Sequence, residues 1–235
     1  MAHRPSQISK REGFDIKSYF PELEGQFQEL RRQKAAASDA IGGDLYCTDH
    51  GLAVTEDGFI FGEYGEFSAR IFINDQATDF YNKIKGLRHI HALLRVGETV
   101  YITTGDTHKF LDEWTLVGGE FKFKKRLMKR FGGFTTCARV GGRTYFGTDF
   151  SQRPNYLFFL ETKQKFFFPR PAYTQYCYLT FVVEDRYLFC FNRHLSKFSG
   201  ALSVSVFDTQ TGGFVCSQPY TGNVFVTDHI AVPGT

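Results

Sequence analysis

The sequence predicts an all-β chain built as a β-propeller, with four recognisable four-stranded blades, a partial fifth, and a short N-terminal helical segment. Three observations carry that prediction. Hairpin-like stretches begin at His50, His91, Thr135 and Tyr178, at steps of 41, 44 and 43 residues. A period near 40 with four strands per unit is how a propeller blade reads. The composition agrees: 27 Phe, 12 Tyr and 23 Gly against two Met favour strands and tight turns over helices. Helical periodicity is confined to the residues before Gly42-Gly43, which excludes a solenoid of helix pairs.

Residues 1–42 form the N-terminal segment and 43–235 the propeller domain. In "PELEGQFQELRRQKAAASDA", Pro21 suits a first helical turn. Phe20, Leu23, Phe27 and Leu30 follow at three- and four-residue steps and share one face. After the double glycine come the four first hairpins, "HGLAVTEDGFIFGEYG", "HALLRVGETVYITTGD", "TTCARVGGRTYFGTDF" and "YLTFVVEDRYLFCFNR". Each is an apolar strand, a tight turn and an aromatic-rich strand. A second hairpin follows each: "ARIFINDQATDFYNKI", "EWTLVGGEFKFKK", "NYLFFLETKQKFFF" and "LSVSVFDTQTGGFVC". Gly-Gly pairs beginning at 42, 118, 132, 141 and 212 fall at predicted turns, where positive φ is needed. "GNVFVTDHIAV" from Gly222 repeats "GDLYCTDHGLAV" from Gly43, so the end of the sequence is expected to open a fifth blade. Open sheet edges invite association. Either residues 1–42 complete that blade or the chain belongs to a longer protein.

The series "DGFIFGEYG", a degenerate "NDQATDF" and "LRHIHALL…VYITTGD" resembles the sialidase-like propellers with bacterial neuraminidase repeats, and is closest to their uncharacterised bacterial members. The likeness is best over residues 50–110. The family's Asp-box, Ser-x-Asp-x-Gly-x-Thr-Trp, turns between the third and fourth strands of a blade. Asp75 falls at its Asp and Phe80 at its Trp, while its Gly and Thr positions are not kept. The resemblance implies a propeller and glycan-directed function. The family's enzymes hold a carboxylate with three arginines and use a Tyr nucleophile, a Glu partner and an Asp acid/base. Arg70, Arg88, Arg139 and Arg193 lie near strand ends, but none has the Arg-Ile-Pro context of the catalytic members. No catalytic residue carries over, and sialidase activity itself is disfavoured.

Composition excludes several classes. A net charge of +3 is too mild to imply nucleic acid, and no apolar run approaches the roughly 20 residues of a membrane helix. The start lacks a signal-peptide core, so the default expectation is cytoplasmic. Cys47, Cys137, Cys177, Cys190 and Cys216 are odd in number and lack C-x-x-C spacing, which argues for buried packing rather than disulfides or zinc. No P-loop, Rossmann glycine pattern or G-x-S-x-G occurs, and no cofactor or resident metal is expected.

Four groups of residues are candidates for chemistry. Alignment of the blades puts His50, His91, Thr135, Tyr178 and His229 at equivalent inner-strand positions, with His89 on the same strand face as His91. Converging imidazoles can bind a divalent metal or an anion. Their ordinary alternative is a partly buried histidine bonded to backbone. Glu63 with Tyr64, Asp106 with His108, and Asp149 end second strands, together with Asn192. Paired carboxylates there could serve glycoside hydrolysis, or simply accept turn N–H groups. "KFKKRLMKR", Lys122 to Arg130, is expected on a solvated outer strand. Tyr64, Trp114, Tyr156, Tyr173 and Tyr176 are candidates for stacking on sugars, with Trp114 the foremost exposed aromatic. The expected function is recognition of a carbohydrate or glycoconjugate through the face near residues 62–68 and 104–114. The alternatives are a glycoside hydrolase using Glu63, Asp106 or Asp149, and a protein-interaction scaffold.

Overall fold

The computed structural model describes residues 4–9, 13–42, 45, 47–56, 58–65, 69–80, 86–105, 108–129, 133–150, 154–194 and 202–220. The chain is a β-propeller. The described residues form four antiparallel sheets, each a four-strand meander in chain order. The first blade comprises β1 (Leu52–Thr55), β2 (Gly58–Gly62), β3 (Ile71–Ile73) and β4 (Gln76–Ala77). The second comprises β5 (His89–Val96), β6 (Thr99–Gly105), β7 (Phe110–Val117) and β8 (Glu120–Lys129). The third has β9 (Phe134–Val140), β10 (Arg143–Thr148), β11 (Tyr156–Phe159) and β12 (Gln164–Phe167). The fourth has β13 (Tyr176–Val183), β14 (Tyr187–Arg193), β15 (Leu202–Asp208) and β16 (Gly213–Tyr220). All eight hairpins read from the sequence are strand pairs. The expected fifth blade lies outside the described residues.

The described residues fall into two compact units: those between 27 and 134, and those between 4 and 26 together with those between 135 and 220. In the first of these, the facing sides of blades one and two bury Ile60, Ile71, Phe80, Ile90, Leu93, Ile102, Trp114 and Phe121 together. Phe80 lies 4.9 Å from the Trp114 ring and 5.6 Å from Phe121. Asp75 sits in the turn between β3 and β4. The other unit buries Val140, Tyr145, Leu157, Phe168, Leu188, Phe207 and Phe214 between blades three and four.

The predicted helix is α1 (Phe20–Ile41), which begins inside the N-terminal segment. Leu23 and Phe27 are fully buried, as their spacing implies. A short 3-10 turn, Ile16–Tyr19, leads into α1, and further upstream Ile8 makes a parallel bridge to Phe214 of β16. Phe14 and Tyr19 pack on Tyr187, and Tyr19 also reaches Phe189. Within the 27–134 unit, Ala37 and Ile41 of α1 pack with Cys47, Leu52 and Phe61 of blade one. All five cysteines are free thiols, and all but Cys216 are buried.

The basic run from Lys122 to Lys129 lies in β8, the outermost strand of blade two, and Arg130 falls outside the described residues. Two register shifts in the β7–β8 pairing leave Lys124 and Leu127 as bulged residues. Bulges and lysines on an outer strand are two ways of making its open edge a poor template for another chain. The run is also partly neutralised: Lys124 and Lys125 bind Glu113, and Arg126 makes two bonds to Asp112.

Candidate binding site

The inner strands of blades two and four share a device. The β5–β6 register shifts between Ile90 and Ala92, so His91 is an inserted residue. The β13–β14 register shifts between Cys177 and Leu179, so Tyr178 is inserted at the position the repeat makes equivalent. A bulge redirects its side chain and breaks one step of the ladder. The freed carbonyls find threonine hydroxyls on the preceding blade: Thr48 donates to His91, and Thr135 donates to Cys177. Buried backbone oxygens need such partners.

The residues ahead of each bulge need room. A Cβ on Gly62 would stand 2.7 Å from Ile90 Cβ, and one on Gly147 would stand 2.8 Å from Cys177 Cβ. Both glycines follow a phenylalanine near the end of a second strand, so "FIFG" and "TYFG" carry a packing signal that strand periodicity alone does not reveal. The inserted His91 needs space of its own, and its imidazole lies flush on Gly105.

Several sequence candidates meet in the 27–134 unit. The Tyr64 ring stacks on His89 at 3.8 Å between centroids and 15°, and His91 lies 5.7 Å from Tyr64 in nearly the same plane orientation. An antiparallel bridge joins Tyr64 to His89. His89 is 6% exposed and His91 3%, so their rings are packing elements of the strand rather than open ligands. The half-buried His50 accepts from the Leu93 amide through its carbonyl. Burial pushes its imidazole down to about 4, against the opposing pull of the Asp49 charge. Among the described residues, no group of three or more His, Cys, Asp or Glu side chains could hold a metal ion. His108 stacks on Phe110 at 5.5 Å, and its carbonyl accepts from the Thr104 hydroxyl.

Glu63 is held by three bonds. Arg70 Nε and Nη2 donate to its two oxygens at 2.9 and 2.6 Å, and the Arg70 amide donates at 3.0 Å. The guanidinium also lies 4.8 Å over the Phe72 ring. Half-exposed Tyr64 is the next residue in the chain. The result is a rigid carboxylate–guanidinium plane beside a tyrosine, with the Arg70 side chain 49% exposed. Asp106 and His229, two further candidates, lie outside the described residues.

In the other unit Arg193 donates to the Tyr176 hydroxyl, and its guanidinium lies 5.3 Å from the Tyr176 ring and 5.1 Å from Tyr178. Burial raises the Tyr176 hydroxyl's pKa, Arg193 opposes the rise, and the charge of Asp149 adds to it. Asp149 is therefore electrostatically close to Tyr176. Arg193 thus groups with Tyr176 and Tyr178 within this unit, and the bulge that brings Tyr178 to it is not visible in strand periodicity.

Three of the five aromatic candidates are buried, contrary to expectation. Trp114 is 1% exposed. It lies in the middle of β7 and pairs with Phe123 while its ring meets Phe80 and Phe121. Tyr156 and Tyr176 are buried as well, leaving Tyr64 and Tyr173 as the partly exposed members of that set.

The fold defines a β-propeller, with Glu63, Tyr64 and Arg70 grouped at the connection between β2 and β3 of one unit and Tyr176, Tyr178 and Arg193 on β13 and β14 of the other. No family model matches the chain, and no curated protein matches it. Among solved structures, it is similar to the dihydro-heme d1 dehydrogenase NirN in complex with DHE, at 16% identity and a TM-score of 0.46, over 72% of this chain and 38% of that one. It is similar to the Dos1 propeller at 12% identity and 0.43, over 76% and 52%. It is similar to BamB from Moraxella catarrhalis at 11% identity and 0.33, over 72% and 60%. The chain thus spans between 38% and 60% of these structures' lengths.

Proposed function

We propose that the chain is a non-catalytic recognition domain that binds a carbohydrate or glycoconjugate at the surface around Glu63, Tyr64 and Arg70. The observation that supports this is the bidentate Glu63–Arg70 pair beside half-exposed Tyr64. Sugars present neighbouring hydroxyls that both donate and accept, and an apolar ring face that stacks on aromatics. A fixed carboxylate, a fixed guanidinium and a tyrosine match those needs. The same geometry weighs against hydrolysis by Glu63, because a carboxylate already accepting from a guanidinium and an amide is poorly placed to deliver a proton. A glycan array followed by a hydrolysis assay tests the reading. Binding that weakens at least tenfold in Tyr64→Ala, without turnover, is the expected outcome. Turnover lost in Glu63→Gln would replace it with the enzyme reading.

A second reading, a protein-interaction scaffold, draws on the outer hairpin of blade two. Val117 and Phe123 remain 47% and 52% exposed there, beside the lysines of β8.

A further inference from the structure

The loop between β12 and β13, together with the end of β16, forms an open hollow of about 660 Å³ lined by Arg170, Pro171, Tyr173, Thr174 and Pro219. We infer that this hollow is a docking site for an extended, proline-containing peptide that carries one acidic side chain. It shares no residue with the Glu63–Arg70 surface.

Four of the five lining residues are exposed, and Tyr173 is half-buried. A small molecule bound there would keep much of its surface in water, whereas small-molecule sites bury roughly 70–90% of their ligand. An extended peptide needs only one flank covered. A polyproline-type segment is already ordered, and its pyrrolidine rings fit against aromatic and proline surfaces. The hollow supplies that floor through Pro171, Tyr173 and Pro219, with the Thr174 hydroxyl available to a peptide carbonyl.

Charge selects the acidic side chain. Arg170 has no ion-pair or hydrogen-bond partner among the described residues, so its guanidinium is available to a carboxylate in the two-pronged geometry such pairs favour. The loop is also fixed before any ligand arrives. The Asn155 amide donates to the Tyr173 carbonyl at 2.9 Å, and the Phe168 amide donates to the Asn155 carbonyl at 3.0 Å. Asn155 itself is fully buried, and its side chain bonds Thr148 and both polar backbone groups of Phe150. A loop held from beneath loses little freedom on binding.

The test uses the whole chain and fluorescein-labelled polyproline decapeptides with a single aspartate at the third, fifth or seventh place, each matched by a lysine version. Fluorescence anisotropy should show saturable binding of at least one aspartate probe, about tenfold tighter than its lysine match. Arg170→Glu should reverse that order, and Tyr173→Ala should weaken binding about tenfold. Tyr64→Ala should leave peptide binding unchanged, which separates this site from the glycan surface. The inference is overturned if no aspartate probe saturates, if Arg170→Glu keeps the wild-type preference, or if Tyr173→Ala binds as tightly as wild type. Because Arg170 is exposed, its charge-reversal variant keeps the test decisive even if the tyrosine variant folds poorly.

Discussion

Gly105 lies against the face of the His91 imidazole, and a Cβ at residue 105 would stand 2.7 Å from His91 Cδ2 and closer still to the ring's far edge. His91 is the inserted residue of β5, and its ring lies 5.7 Å from Tyr64. Gly105→Ala should therefore destabilise the protein by about 2 kcal/mol or more, as overpacking does in a close-packed interior. Gly62→Ala and Gly147→Ala should act in the same direction. Gly25→Ala is the contrast: it sits in α1 with nothing within 4 Å and should stabilise by roughly 0.5–1 kcal/mol. Urea unfolding midpoints of the four variants would decide it.

The Asp208 side chain is 1% exposed and bound by Arg186 through both oxygens, with the Gln210 and Thr211 amides also donating to it. Burial alone would raise its pKa. The Arg186 bonds and charge and the two amides outweigh that and hold the carboxyl below its ordinary value. A depressed carboxylate stabilises above its unfolded pKa, and that contribution is lost as pH falls through the folded value. Asp208→Asn should thus cost roughly 2 kcal/mol or more at pH 7. The gap to wild type should close as pH drops below about 4. Unfolding curves at pH 7, 4 and 2.5 would show whether it does.

His50 provides a second pH limb with its own window. Its folded imidazole is neutral until about 4, and the unfolded one titrates near the ordinary 6.5. The unfolded state binds the proton first, so stability is full above about 6.5 and declines as pH falls towards 4. His50→Gln should flatten that decline. An NMR titration giving His50 an ordinary pKa would refute the assignment.

The hairpins were legible because strand alternation and turn glycines act locally. Gly118-Gly119 and Gly141-Gly142 take positive φ where the period placed turns. The burial of Trp114 was not legible, because it depends on Phe80 arriving from the neighbouring blade. "EWTLV" alternates whichever face is covered. The bulges were hidden for a similar reason. His91 and Tyr178 could be aligned as equivalent, yet an inserted residue is defined by its partner strand and leaves no period of its own. Glu63 showed the same limit: a strand-end carboxylate reads as a catalytic candidate until Arg70, seven residues on, is seen to occupy both oxygens.

The bulges should depend on their threonines. Thr48 donates to the His91 carbonyl and Thr135 to the Cys177 carbonyl, each from the preceding blade in its own unit. Valine has nearly the same shape as threonine but no hydroxyl, so Thr48→Val or Thr135→Val leaves a carbonyl unsatisfied at a point where the ladder is already interrupted. Each should cost about 1–3 kcal/mol, the penalty for an unpaired buried polar group. Thr→Ser at either position keeps the donor and should recover most of the loss. Thr48→Val should also loosen the stack of Tyr64 on His89 and His91, because the bulge sets where His91 points. The readout is the ring chemical shifts of Tyr64 and His89 alongside the unfolding midpoint. If Thr48→Val and Thr48→Ser prove equally stable and spectrally identical, the hydroxyl is not what holds the bulge.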